Sequence, residues 1–125
     1  MKGEIMKIVF TLMVLLSAVA FSADRVVLFE YFTQTGWGTC YSSWSAVKSA
    51  LQPYVDSGDL APLYLFYNGP ASNGFNSGRF SFYGVSATPT VKIDGVAASY
   101  NPSTYPGSID SRLAVPSYID IEVEI

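Results

Sequence analysis

The chain has 125 residues, half of them hydrophobic, with one cysteine, no histidine and a formal net charge of −3. That length holds at most one small domain beside a targeting segment. One cysteine without histidine excludes a Cys/His zinc site and any Ser–His or Cys–His catalytic pair within the chain, and five Lys/Arg against nine Asp/Glu after Ala20, with no basic run, argue against nucleic acid as a partner.

Residues 1–20 have the order of a secretory signal. Lys2 and Lys7 form a positive start, residues 8–16 an apolar run, and Ala18-Val19-Ala20 a small-x-small cleavage site, with cleavage expected between 20 and 23. The alternative, an uncleaved anchor, would need about 20 apolar residues to span a bilayer, and this run is shorter. After cleavage no transmembrane span is expected. Export implies an extracytoplasmic location, whether periplasmic, outer-membrane-associated or secreted, and an oxidising compartment in which a lone cysteine has no partner within the chain.

Residues 25–32 read as a strand covered on both faces, because they are almost continuously apolar. Glu30 interrupts the run, and a carboxylate there is costly to bury without a partner. Read from the residues alone, it points to the sheet edge or pairs with a nearby lysine such as Lys92. The next loop, 33–40, reads Thr-Gln-Thr-Gly-Trp-Gly-Thr-Cys. A helix is expected over 42–52, with Ser42 and Ser43 as caps and Trp44, Val47, Leu51, Tyr54 and Val55 on one stripe. Pro53 should break or kink it near Gln52. Residues 56–59 form a turn, and 60–67 the next strand, apolar enough to be central. Strand, helix and strand in this order imply a right-handed parallel crossover.

Residues 68–78 read as a Gly/Asn/Ser/Pro surface loop and 79–83 as a helical turn with Phe80 and Tyr83 inward, stopped by Gly84. Asp94-Gly95 between the apolar runs 90–93 and 96–99 signals a tight antiparallel hairpin. A turn-rich stretch, 101–107, precedes a short helix over 108–113. The last run, 118–125, alternates strictly and reads as a strand with one wet face. It is either an edge strand of the same sheet or the start of a truncated β-rich region.

The loop ending in Cys40, with the strand before it, the helix after it and the later Thr88-Pro89-Thr90 strand ending in Asp94-Gly95, resembles the thioredoxin fold. The resemblance is closest to extracytoplasmic thioredoxin-like proteins of the outer-membrane-protein type. It implies an α/β fold with a central mixed sheet flanked by helices over 24–115, and a linker and further β-rich region from 116. Aligned on Glu30, Phe32 and Thr33, the family's Cys-x-x-Cys falls on Trp37 and Cys40, so the motif here is Trp-Gly-Thr-Cys. The position of the attacking thiol is a tryptophan, and Cys40 holds the position of the resolving thiol. Dithiol exchange needs an exposed thiolate and a second thiol.

The resemblance further implies that Glu30 takes the place of a buried carboxylate that moves protons for the thiol pair. It also implies that Thr88-Pro89 is cis and faces the loop ending at Cys40, with the backbone before the proline free to pair with an extended chain. Trp37, Tyr41, Thr88 and Pro89 are then the binding residues, Phe75 could add aromatic surface, and the partner is an extended peptide or an envelope protein. Trp37 is either a contact for that partner or a lid over the loop. No cofactor and no metal are expected. The function expected is a redox-degenerate binding or structural module, with a thiol-disulfide oxidoreductase using Cys40 alone as the alternative.

Overall fold

The structure is a computed structural model that describes residues 24–36 and 38–117. The expected signal segment, Trp37 and the strand expected over 118–125 lie outside the described residues. Val26–Val115 form one compact unit, and the segments on either side belong to a second.

Within the first unit four strands make one mixed sheet. They are β1 (Val27–Thr33), β2 (Leu60–Phe66), β3 (Thr90–Ile93) and β4 (Val96–Ala98), in the order β2-β1-β3-β4. β1 and β2 run parallel, with Val27 opposite Leu60 and Thr33 opposite Phe66. β3 lies antiparallel on the other side of β1, and β4 pairs antiparallel with β3. The hairpin forms as the Asp-Gly signal requires, since Asp94 (φ 50°) and Gly95 (φ 77°) both take the left-handed conformation that a two-residue turn of this kind needs. Asp94 adds a side-chain tie. Its Oδ1 accepts from the Leu28 amide at 2.9 Å and its Oδ2 from Arg112 Nε at 3.2 Å.

Strand pleating sends alternate residues of β1 to opposite faces. Val27, Phe29 and Tyr31 meet helix α1 (Gly38–Ser57) and helix α3 (Tyr105–Leu113) in a core that includes Val47, Leu51, Tyr105 and Ile109. Phe32 faces the other way, into a smaller cluster with Leu65 and with Phe80 of helix α2 (Gly74–Tyr83). A short 3-10 turn, Pro102–Thr104, leads into α3.

Several sequence expectations are corrected. β2 is outermost among the described residues, not central. Pro62 in its middle is the overlooked signal, because a proline donates no ladder bond and suits an edge strand. α1 runs four residues earlier than expected and continues through Pro53 to Ser57. Packing beyond the proline overrides its local cost. Tyr54 joins the main core, and its hydroxyl donates to the Asp110 carboxylate at 2.8 Å. Ser42 and Ser43 are not caps but lie inside the helix, where both hydroxyls donate to the Thr39 carbonyl. α2 begins inside the expected loop because Asn73 caps it, its Oδ1 accepting from the Asn76 amide. α3 begins at Tyr105 rather than 108. Gly84 closes α2 in the left-handed conformation, as expected.

Candidate functional site

The carboxyl ends of β1 and β2 open onto two neighbouring hollows. Ligand sites in open α/β sheets favour this end of the strands. The first hollow, about 410 Å³, is lined by Gln34, Tyr67, Phe80 and the segment Val85 to Thr88. The second, about 390 Å³, is lined by Thr33 to Gly36, Cys40, Tyr41, Trp44 and Phe66. Gln34 borders both.

Two loops shape this end. The backbone amide and the hydroxyl of Thr35 both donate to Asn68 Oδ1, at 2.9 and 3.2 Å, which ties the loop after β1 to the loop after β2. Gly69 (φ 82°) is needed at that junction, because a Cβ there would lie 2.5 Å from Thr35 Oγ1. Asn76, buried in the first turns of α2, donates to the carbonyls of Phe66 and Ala71 and so pins the far wall. Sequence reasoning missed Gln34, Tyr67, Asn68 and Asn76. The polar run 68–76 could have pointed to the last two, since Asn commonly organises loops through its side chain.

Thr88-Pro89 is cis, and the segment before it borders the first hollow. Among the described residues the backbone amides of Ser86, Ala87 and Thr88 have no hydrogen-bond acceptor. The Ala87 carbonyl accepts from Thr90 Oγ1 at 2.7 Å. The structure therefore brings Thr88 and Tyr41 to the same end of the sheet, Tyr41 being 85% exposed. It does not bring Phe75 there. That side chain is exposed on α2 and borders neither hollow, whereas Tyr67 borders the first.

Cys40 is third in α1 and is 4% exposed, with its free thiol in the wall of the second hollow. Behind it lies an aromatic cluster. Trp44 packs edge-on against Tyr64 with ring centroids 4.7 Å apart, and Tyr31 lies 6.3 Å from Trp44. Burial pushes the Tyr31 phenol above its ordinary value, partly countered by its hydrogen bond with Ser43 Oγ at 3.1 Å.

Glu30 is fully buried on the α2 face. One of its oxygens accepts from both Arg79 Nε, at 2.8 Å, and Arg79 Nη2. The other accepts from the Tyr83 hydroxyl at 2.8 Å. The hydrogen bond to Glu30 holds the Arg79 guanidinium above its ordinary value, and burial followed by the bond to Glu30 raises the Tyr83 phenol. Of the readings open for Glu30, the one at the sheet edge or with a lysine is corrected. Lys92 sits opposite Glu30 in the ladder, but its ammonium lies over the Tyr83 ring, 5.2 Å from the centroid. Arg79 and Tyr83 are four apart on α2, on one face of it, so both reach Glu30 together.

Among the described residues no group of three or more acidic, cysteine or histidine side chains is placed to hold a metal ion, and no helix is long and apolar enough to cross a membrane. No family model matches the chain, and no curated protein matches it. Solved structures do. Tryparedoxin II from C. fasciculata is 12% identical, with a TM-score of 0.53 over 68% of this chain and 74% of that one. A thioredoxin from Wuchereria bancrofti is 16% identical, with a TM-score of 0.52 over 75% of this chain and 84% of that one. The oxidised thioredoxin from Plasmodium falciparum is 13% identical, with a TM-score of 0.51 over 72% and 84%. At these identities the likeness concerns the fold, and the fold of this chain is thioredoxin-like.

Proposed function

We propose that this chain is an extracytoplasmic, redox-degenerate module on a thioredoxin-like fold, which binds an extended peptide or a segment of an envelope protein at the carboxyl ends of β1 and β2. The observation that carries this reading is the run of unpaired amides from Ser86 to Thr88 beside the first hollow. Unpaired main-chain donors at a sheet end suit the addition of a strand, in which backbone bonds supply affinity and side-chain hollows supply specificity. Trp37 and Tyr41 belong to this binding reading by position in the loop, and Thr88 and Pro89 by position in the segment.

The redox-degenerate part rests on Cys40. It is the chain's sole cysteine and is 4% exposed. A buried thiol in apolar surroundings behaves as a small hydrophobe. That burial disfavours the alternative of an oxidoreductase working through Cys40 alone, and the engagement of both Glu30 oxygens favours a structural over a proton-moving carboxylate. Export rests on the charged, apolar and small-residue order of residues 1–20, and N-terminal sequencing of exported protein tests it.

The binding reading is tested by screening blocked heptapeptides against the full chain with hydrogen exchange as the readout. The amides of Ser86, Ala87 and Thr88 should exchange rapidly in the free chain and slowly in a complex. Binding that leaves them unprotected would overturn the reading. Insulin reduction with dithiothreitol as electron source should run at the dithiothreitol background, and a Cys40-dependent rate above it would restore the oxidoreductase alternative. Trp37→Cys should raise that rate by supplying the second thiol.

A further inference from the structure

We infer that Asn68 is a site of spontaneous covalent modification, an asparagine that the fold activates to lose its side-chain amide through attack by the main-chain nitrogen of Gly69. The inference is independent of the binding reading above.

The chain contains two Asn-Gly pairs, Asn68-Gly69 and Asn73-Gly74. A glycine after asparagine leaves the following nitrogen free to approach the side-chain carbonyl, because no Cβ obstructs it. The Gly69 nitrogen gives up its proton and bonds to Asn68 Cγ. The bond from Cγ to Nδ2 breaks, and Nδ2 leaves as ammonia with a proton relayed by solvent. Water then opens the cyclic imide at one of its two carbonyls, giving aspartate or isoaspartate at position 68. The net change is amide and water to carboxylate and ammonium, with no redox step.

Three observations single out Asn68. First, its Oδ1 accepts from both the amide and the hydroxyl of Thr35, at 2.9 and 3.2 Å. Negative charge develops on this oxygen as the nitrogen attacks, and two donors already aimed at it stabilise that charge. Asn73 Oδ1 accepts from one donor among the described residues, the Asn76 amide. Second, among the described residues the main-chain groups of Asn68, its Nδ2 and the Gly69 amide make no hydrogen bond, and both residues are exposed. The peptide can turn to bring nitrogen and carbonyl together, which is the costly part of such an attack. Asn73 is held instead. It caps α2, and its carbonyl accepts from the amide and the hydroxyl of Ser77. Third, the glycine is imposed by the same contact that supplies the donors. A Cβ at position 69 would lie 2.5 Å from Thr35 Oγ1. Seating the Thr35 hydroxyl on Asn68 therefore requires the residue that attacks most readily.

The folded full chain is incubated in mildly alkaline buffer, and conversion at each asparagine is followed by peptide mapping with mass spectrometry. Asn68 should convert about fivefold faster than Asn73, the rate worth of one added hydrogen bond. In urea the two rates should converge, because the fold makes the difference. Thr35→Val, at an exposed position, keeps the shape and removes the hydroxyl donor, and should slow Asn68 by about the same factor. Thr35→Ser should restore the rate. Equal rates in the folded chain, or faster conversion at Asn73, would overturn the inference. A difference that persists in urea would assign it to local sequence and overturn activation by the fold. An unchanged or faster rate in Thr35→Val would mean that the hydroxyl guards the amide or does nothing to it, which also overturns the inference.

Discussion

The two faces of the sheet are held by different physics. The face under α1 and α3 is closed chiefly by apolar area. Val27, Phe29, Tyr31, Val47, Leu51, Tyr105 and Ile109 are almost wholly buried there, and Phe29 meets Tyr105 edge-on with centroids 5.0 Å apart. The face under α2 has a smaller apolar cluster, Phe32, Leu65 and Phe80, and sets beside it a fully buried carboxylate. Burial of Glu30 would be prohibitive alone, and it is made tolerable by three donated hydrogen bonds from Arg79 and Tyr83. An apolar face tolerates volume-conserving exchange of one side chain for another. A face built on a buried ion pair tolerates the loss of both partners better than the loss of one.

The largest expected effect follows from that asymmetry. Arg79→Ala should destabilise the fold by about 3–5 kcal/mol, because it strands the Glu30 charge in the interior. Replacing both residues, Glu30→Leu with Arg79→Leu, should recover most of that loss. Ile109→Ala on the other face should cost about 2–5 kcal/mol through a cavity, and Ile109→Val only about 0.5–1.5. Urea titration of the four variants checks this. If the double replacement is as damaged as Arg79→Ala, the α2 face depends on this pair for more than neutralising a charge.

These two faces were unequally legible in the sequence. The apolar period of β1 and the stripe Trp44, Val47, Leu51 and Tyr54 identify the α1 face directly, since burial there is a matter of hydrophobic spacing. Glu30 was visible as an anomaly, but its partners were not. They sit 49 and 53 residues further on, on a helix whose start was hidden in a polar loop. The hairpin was readable because Asp94-Gly95 fixes its own turn. The hollows were not, because the first arises where the ends of β1 and β2 meet the segment Val85 to Thr88 and the second where they meet the start of α1, and no local pattern encodes either meeting.

A smaller effect separates local chemistry from packing on the α1 side. Pro53 lies inside α1 with an exposed side chain. Its ring removes one helix hydrogen bond and crowds the preceding turn. Pro53→Ala should therefore stabilise the domain by about 1–2 kcal/mol, less than the full helix penalty because proline also restricts the unfolded chain. Thermal melts decide it. A loss of stability would mean that the packing of Tyr54 depends on the proline bend. Asn68→Ala, which unties the loop after β1 from the loop after β2, should cost about 1 kcal/mol.

At neutral pH the last effect vanishes, and it appears only in alkali. Burial raises the phenols of Tyr31, Tyr64 and Tyr105 on the α1 face, most strongly Tyr105. On the α2 face burial and then the bond to Glu30 raise Tyr83. An unfolded tyrosine titrates near pH 10. Below that value both states are protonated and the contribution of these phenols to stability is complete. Above it the unfolded chain sheds protons that the folded chain keeps, so stability falls as the pH rises towards the folded values. The melting temperature should stay level up to about pH 9 and decline beyond pH 10. Tyr105→Phe should flatten that decline most, although it costs some stability at every pH by leaving the Tyr100 carbonyl without its donor. Tyr83→Phe should flatten it less, while destabilising the α2 face by removing a donor from Glu30. If Tyr83→Phe flattens the alkaline decline more than Tyr105→Phe, the ion-pair face rather than the apolar face governs stability in alkali, and the contrast between the two faces must be redrawn.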